Sequence, residues 1–199
     1  MRSENSSKTL RKELSEQLKA FYHKHKESIL DLVIFGSSIK GKAKPNDVDL
    51  LVIYKEKEDL ELNQQLRKLS PELQVTSKAY NNLFSPKFLA REAYLTGYSV
   101  INGPISESLG YSSRMMFRYD LKKLNKTERM RFYHALYGRN SKGVLEETGS
   151  VKFTQTIIIT EMRSSEQLKE FFEQWGIPVV MVPVMIPSRI TETIIRSAG

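Results

Sequence analysis

The sequence predicts an α/β protein in two parts, and three observations carry that reading. Segments with helical spacing alternate with short apolar runs, a Gly-Ser turn and an Asp-x-Asp pair bracket one loop, and the basic residues gather in one later stretch. The 199 residues are 40% hydrophobic and 27% charged, the composition of a folded globular chain, which excludes disorder as the main state. The absence of cysteine excludes a disulfide framework, a thiolate metal site and a cysteine nucleophile. Any metal must bind through oxygen or imidazole. The longest apolar run, Gly176 to Ile186, is about half of the ~20 residues a membrane-spanning helix needs, and it contains Pro178 and Pro183. The opening residues, Met1 to Lys8, lack the apolar stretch of a signal peptide, so a cytoplasmic location with no membrane partner is expected.

The elements follow in order. Leu10, Leu14, Leu18, Phe21, Tyr22 and Ile29 predict an amphipathic helix over 10–29. Leu32 to Phe35 reads as a short buried strand stopped by Gly36-Ser37-Ser38, and Asp47 to Ile53 as a second strand after a turn-like loop. A helix is expected over Glu58 to Leu69, ended by Ser70-Pro71, and a strand over Leu73 to Ser77. Ser85 and Pro86 open a further helix, which Gly97 closes. The glycines, proline and serines between Val100 and Ser113 place a domain junction near residue 110, giving domains 1–110 and 111–199. Beyond it, a strand is expected over Met115 to Leu121, and Asn125-Lys-Thr-Glu128 is a capping box for a helix closed by Gly138. Thr154 to Thr160 predicts one strand, and Leu168, Phe171, Phe172 and Trp175 the core face of a helix. Ile177 to Ile186 is then a last strand, whose prolines imply an edge or an irregular end. Residues 111–199 thus read as a small α/β domain.

The chemistry sits in Ile34 to Val52. Side chains two apart on a strand share a face, so Asp47 and Asp49 present two carboxylates together while Val48 and Leu50 point into the core. Two such carboxylates repel unless a cation lies between them, and oxygen-only ligation suits Mg2+ or Mn2+. Gly36, Ser37 and Ser38, at a strand end, offer backbone N–H groups and hydroxyls to a phosphate. Lys40, Lys42 and Lys44 on the loop add charge suited to a triphosphate.

This stretch resembles the nucleotidyltransferase superfamily with the polymerase-beta-like fold, whose signature is hydrophobic-Gly-Ser, a spacer, then Asp-x-Asp. Gly36, Ser37, Asp47 and Asp49 match it, and the resemblance, closest to the minimal archaeal and bacterial members, covers about residues 8–100. It implies a mixed sheet, a nucleoside triphosphate held at the Gly-Ser turn, divalent metal on Asp47 and Asp49, and transfer of a nucleoside monophosphate to a hydroxyl acceptor, RNA or protein, with release of pyrophosphate. Two departures stand out. The spacer is one residue shorter than is common, and Gln74 occupies the place of the family's third acid. Glu72 shares a face with Gln74 and supplies that acid if the strand register differs by two residues.

Residues 111–142 hold nine cations against Asp120 and Glu128, so +7 of the chain's +8 falls there. Aromatic residues are interleaved, and Arg118, Arg129, Arg131, Arg139 and Lys142 are the candidates for nucleic-acid contact; the competing reading makes the rings core and the cations a solvated face. Gly138 to Gly143 reads as a helix cap and turn, because it follows a helix and lacks the Lys-Ser/Thr ending of a phosphate loop. His23, His25 and His134 do not form a metal set by spacing. Three functional readings compete: a Mg-dependent nucleotidyltransferase, a catalytically inactive nucleotidyltransferase-fold protein that binds nucleic acid, and a protein that modifies or masks a partner chain.

Overall fold

The computed structural model describes residues 2–40, 47–85, 91–139 and 141–191. The chain divides into two compact units, one ending at Ser108 and the other starting at Leu109 and also taking in Lys40. No helix among the described residues is long and apolar enough to cross a membrane.

The first unit opens with helix α1 (Arg2–His25), followed by strand β1 (Ile29–Phe35). Ile29, expected to end the helix, instead begins the strand and is fully buried. A β-branched residue followed by Leu30 to Phe35 favours the extended state, so the apolar spacing that continued into it was strand burial. Strand β2 (Val48–Tyr54) pairs antiparallel with β1, and helix α2 (Leu60–Arg67) connects it to β3 (Leu73–Ala79), which pairs with β2 in parallel. Asp59 caps α2, its carboxylate accepting from the amides of Glu61 and Leu62 at 2.9 and 3.1 Å. Helix α3 (Arg91–Thr96), short strands β4 (Tyr98–Ser99) and β5 (Gly103–Pro104), and one turn of helix α4 (Ile105–Ser108) complete the unit. The sheet order is β3-β2-β1-β4-β5, a mixed sheet as the motif implied.

Alternation along β2 divides the core. Val48, Leu50, Val52 and Tyr54 pack with Leu18 of α1 and Leu62 and Leu66 of α2 on one face. Leu51 and Ile53 pack with Val33, Leu83 and Ile105 on the other. Asp31 lies buried in β1, accepting from the Ser99 hydroxyl at 2.7 Å and the Leu32 amide at 2.7 Å.

The second unit contains strand β6 (Tyr111–Tyr119), helix α5 (Lys126–Tyr137), a helical turn α6 (Val144–Glu147), strands β7 (Val151–Thr154) and β8 (Ile157–Glu161), helix α7 (Ser165–Gln174) and strand β9 (Val179–Pro187). Its antiparallel sheet runs β7-β8-β6-β9. The order of elements and strands is that of a βαββαβ, ferredoxin-like unit. The capping box forms as read: the Asn125 side chain accepts from the Glu128 amide at 2.9 Å and the Asn125 amide donates to Glu128 at 2.8 Å. The single strand expected over 154–160 is instead a hairpin, turning at Gln155-Thr156 between Thr154 and Ile157. A tight turn lets the apolar run Ile157 to Ile159, paired with β6 on one side, pair on its other side with Val151 and Lys152. Beside β6, strands β8 and β9 are parallel to one another, and α7 crosses between them. The core packs Met115, Phe117 and Tyr119 of β6 under α5 and α7, with Phe172 against Phe117, Tyr119 and Phe132 at ring-centroid distances of 6.0, 5.1 and 5.9 Å.

Two predictions follow from these cores. Phe172→Ala should lower the stability of the second unit by about 3–5 kcal/mol, read from urea denaturation, because it removes the ring that Phe117, Tyr119, Phe132 and Phe171 pack against. At Asp31, burial pushes the carboxyl pKa up, opposed by the hydrogen bonds from Ser99, the Leu32 amide and Asn102. The native state then holds this proton above the pH at which the unfolded chain releases it. The resulting stabilisation is present below the ordinary carboxylate pKa and is lost as pH rises through the raised value. Asp31→Asn keeps an acceptor oxygen without the charge, so melting temperatures measured between about pH 4 and pH 7 should vary less with pH than in the wild type. A steeper pH dependence in the variant would contradict this account.

Candidate functional site

The site is built where β1 ends and β2 begins. Phe35 pairs with Asp49 across the two strands, and Gly36 follows with φ +74°, a left-handed conformation that favours glycine. A Cβ on Gly36 would overlap the Asp49 carboxylate oxygen, so this glycine is required both by its backbone and by its neighbour. Gly36–Ile39 then form one 3-10 turn. The Ser38 hydroxyl donates to the Asp47 carbonyl at 3.1 Å and ties the turn to the start of β2. Ser38 therefore closes the loop, while Ser37 lies beside Gly36 in the same turn.

Asp47 and Asp49 fall on the face of β2 that carries Leu51 and Ile53. Burial first, and the Asp47 charge second, push the Asp49 pKa above its ordinary value. Among the described residues neither carboxylate has a cationic partner within ion-pair distance. Two mutually repelling oxygen donors beside a glycine turn are a donor set that suits a hard divalent cation.

The register of β3 places the remaining acid. Asp49 pairs with Gln74, and the Val48 amide donates to the Glu72 carbonyl at 2.8 Å. The two-residue shift that would put Glu72 beside Asp49 is absent, and Glu72 lies exposed in the turn before β3. Among the described residues no three His, Asp or Glu side chains come together closely enough to hold a metal. The structure thus brings together Gly36, Ser37, Ser38, Asp47 and Asp49, with Gln74 as their neighbour. Of the loop lysines, Lys40 belongs to the second unit, where its carbonyl accepts from the Glu166 amide at 3.2 Å and the Ser165 hydroxyl at 3.3 Å. Lys42 and Lys44 lie outside the described residues, as does Pro86.

The cations read as nucleic-acid contacts do not share one surface. Arg118 alternates with the core residues Phe117 and Tyr119, so it lies on the sheet face opposite α5. Arg129 and Arg131 are two apart on α5 and point in different directions. Arg139 is exposed just past Gly138, and Lys142 is paired with Glu146 at 2.7 Å. The exposure of Tyr133 and Tyr137 was not readable from spacing, because aromatic residues three and four apart on a helix are the usual sign of a core face.

Gly36→Ala places a side chain in a left-handed turn and against Asp49. A loss of about 1–2 kcal/mol is expected in thermal or urea denaturation, together with displacement of Asp49, visible as a changed titration shift of its carboxyl carbon. A variant as stable as the wild type would show that the turn can flip without cost.

Residues 16–102 match the family model described as Polymerase beta, Nucleotidyltransferase. No curated protein and no solved structure matches the chain. The matched span contains α1 from Glu16 onward, β1 to β3, the Gly36 turn and both aspartates. Over these residues the chain is similar to the nucleotidyltransferase domain of the polymerase-beta superfamily.

Proposed function

We propose that this domain transfers a nucleoside monophosphate from a nucleoside triphosphate to a hydroxyl acceptor. The observation that carries the reading is the packing of Gly36 on Asp49 with Asp47 on the same face, which sets a glycine turn beside two carboxylates. Asp47 and Asp49 would hold Mg2+ or Mn2+. A divalent ion bound there supplies neutralisation of phosphoryl charge and a lowered pKa for the attacking hydroxyl. The backbone of Gly36 and Ser37 orients the triphosphate. In the reaction, the acceptor oxygen bonds to the α-phosphorus, the bond to the β-phosphate oxygen breaks, pyrophosphate leaves and the hydroxyl proton passes to solvent.

Gln74 beside Asp49 favours a second reading, a catalytically inactive nucleotidyltransferase fold serving in nucleic-acid binding. A carboxamide cannot add the negative charge that a third metal ligand would bring. One experiment separates the two: transfer of label from each α-labelled triphosphate with Mg2+ or Mn2+, offered RNA, protein and small hydroxyl acceptors. The first reading expects label transfer that falls on the order of a thousandfold in Asp47→Ala combined with Asp49→Ala. The second expects no transfer by the wild type with any triphosphate and measurable transfer by Gln74→Glu.

A further inference from the structure

Helix α5 buries only Phe132 and Leu136 of its 12 residues. On its outward side Lys126, Arg129, Met130, Tyr133 and Tyr137 follow one another at spacings of three, one, three and four and form one stripe. Met130 is 55% exposed, Tyr133 38% and Tyr137 41%. The two tyrosine rings stack with centroids 5.8 Å apart and planes 25° from parallel. Lys152 of β7 pairs with core residue Ile158, which directs it to the helix side of the sheet, and its Nζ lies 5.5 Å from the Tyr137 ring centroid. The Arg129 Nε donates to the Leu124 carbonyl at 2.9 Å, fixing the guanidinium at the rim of an open groove of about 540 Å3 bounded by Asn125, Lys126, Met130 and Tyr133. Among the described residues Lys126, Arg129 and Lys152 have no carboxylate partner, unlike Lys122, Lys142 and Lys169.

We propose that this face of α5 binds a single-stranded polynucleotide, its bases stacking on Tyr133 and Tyr137 and its phosphates lying against Lys126, Arg129 and Lys152. The occupant is argued from the pairing of features. An acidic peptide would use the cations but not a stacked pair of half-exposed rings, whereas every base has a face that can extend such a stack. A duplex hides its bases and would use only the charge. The +7 of residues 111–142 supplies the attraction over a longer range. The site differs from the arginine set suggested by sequence: Arg129 is kept, Arg118, Arg131, Arg139 and Lys142 fall away, and the rings and Lys152 are added. It does not rest on nucleotidyl transfer.

The test is fluorescence anisotropy of the full chain with labelled oligo(rU) and oligo(dT) of roughly ten nucleotides, with a duplex of equal length and polyglutamate as competitors. Tyr133→Ala with Tyr137→Ala should weaken binding about tenfold or more, while the double replacement by Phe should leave it unchanged, since stacking needs the ring and not the hydroxyl. Lys126→Gln with Arg129→Gln should reduce the slope of log K against log salt by about 1.4. Circular-dichroism melts should show the tyrosine-to-alanine variant still cooperatively folded at the assay temperature, since Phe132 and Leu136 hold the helix to the core, and the Lys126→Gln with Arg129→Gln variant melting like the wild type. Asp47→Ala with Asp49→Ala should bind the oligonucleotides normally, which separates failure of this site from failure of the transfer reading. Tighter binding of one oligonucleotide identifies RNA or DNA as the strand, and either supports the site. Equal affinity of the wild type and the tyrosine-to-alanine variant, or displacement by duplex or polyglutamate as effective as by single strand, would overturn it.

Discussion

Gly36 leaves free the space that the Asp49 carboxylate fills, and the geometry of the first unit's site depends on that contact. The β1–β2 register sets Phe35 opposite Asp49, so the residue after Phe35 must turn away at the level of the carboxylate. Only a residue without a Cβ can do so at φ +74° with a carboxylate oxygen where the side chain would begin. The turn and the acid are therefore one structural unit. Because the sheet face behind Asp49 is closed by Leu51, Ile53, Val33, Leu83 and Ile105, the carboxylate is partly desolvated and its proton affinity is raised before Asp47 adds to it.

The same sheet shows how a family pattern can be kept in its frame and altered at one position. Strand β3 is in place, parallel to β2 and sealed by Leu73 on the α2 side, so nothing about the scaffold is degraded around Gln74. The exchange of acid for amide is a change in charge at an intact position. It leaves Asp47 and Asp49 as the two carboxylates beside the Gly36 turn, with an uncharged amide at the position where the family resemblance implies a third acid.

The second unit solves a different problem. Its βαββαβ chain covers one sheet face with α5 and α7 around a cluster of rings, Phe117, Tyr119, Phe132 and Phe172. Phe171 and Trp175 extend this cluster along α7 and Tyr133 extends it along α5. Aromatic packing thus runs without a break from the core to the solvent side of α5. Tyr137 and Lys152 stand at its outer limit.

Local signals were fully legible in the sequence. The Asn125 capping box, the Asp47–Asp49 alternation and the Leu168–Phe172 face each depend on residues within a few positions of one another, and each has the conformation that its spacing predicts. The Gly36-Ser37 turn was legible for the same reason, because its glycine answers to a backbone requirement carried in its own dihedral angles. What the spacing left open were matters of pairing between distant segments. A two-residue slip of β3 keeps every side chain on its face, so alternation alone could not choose between Glu72 and Gln74; hydrogen bonding to β2 did. The run Thr154 to Thr160 has the β-branched composition of one strand, and only the pairing of its second half with Val151 and Lys152 reveals the hairpin. Charge was likewise countable but not locatable. The +7 stretch was evident in the sequence, but its division among a sheet face, two sides of a helix and a loop was decided by which apolar residues the tertiary fold chose to bury.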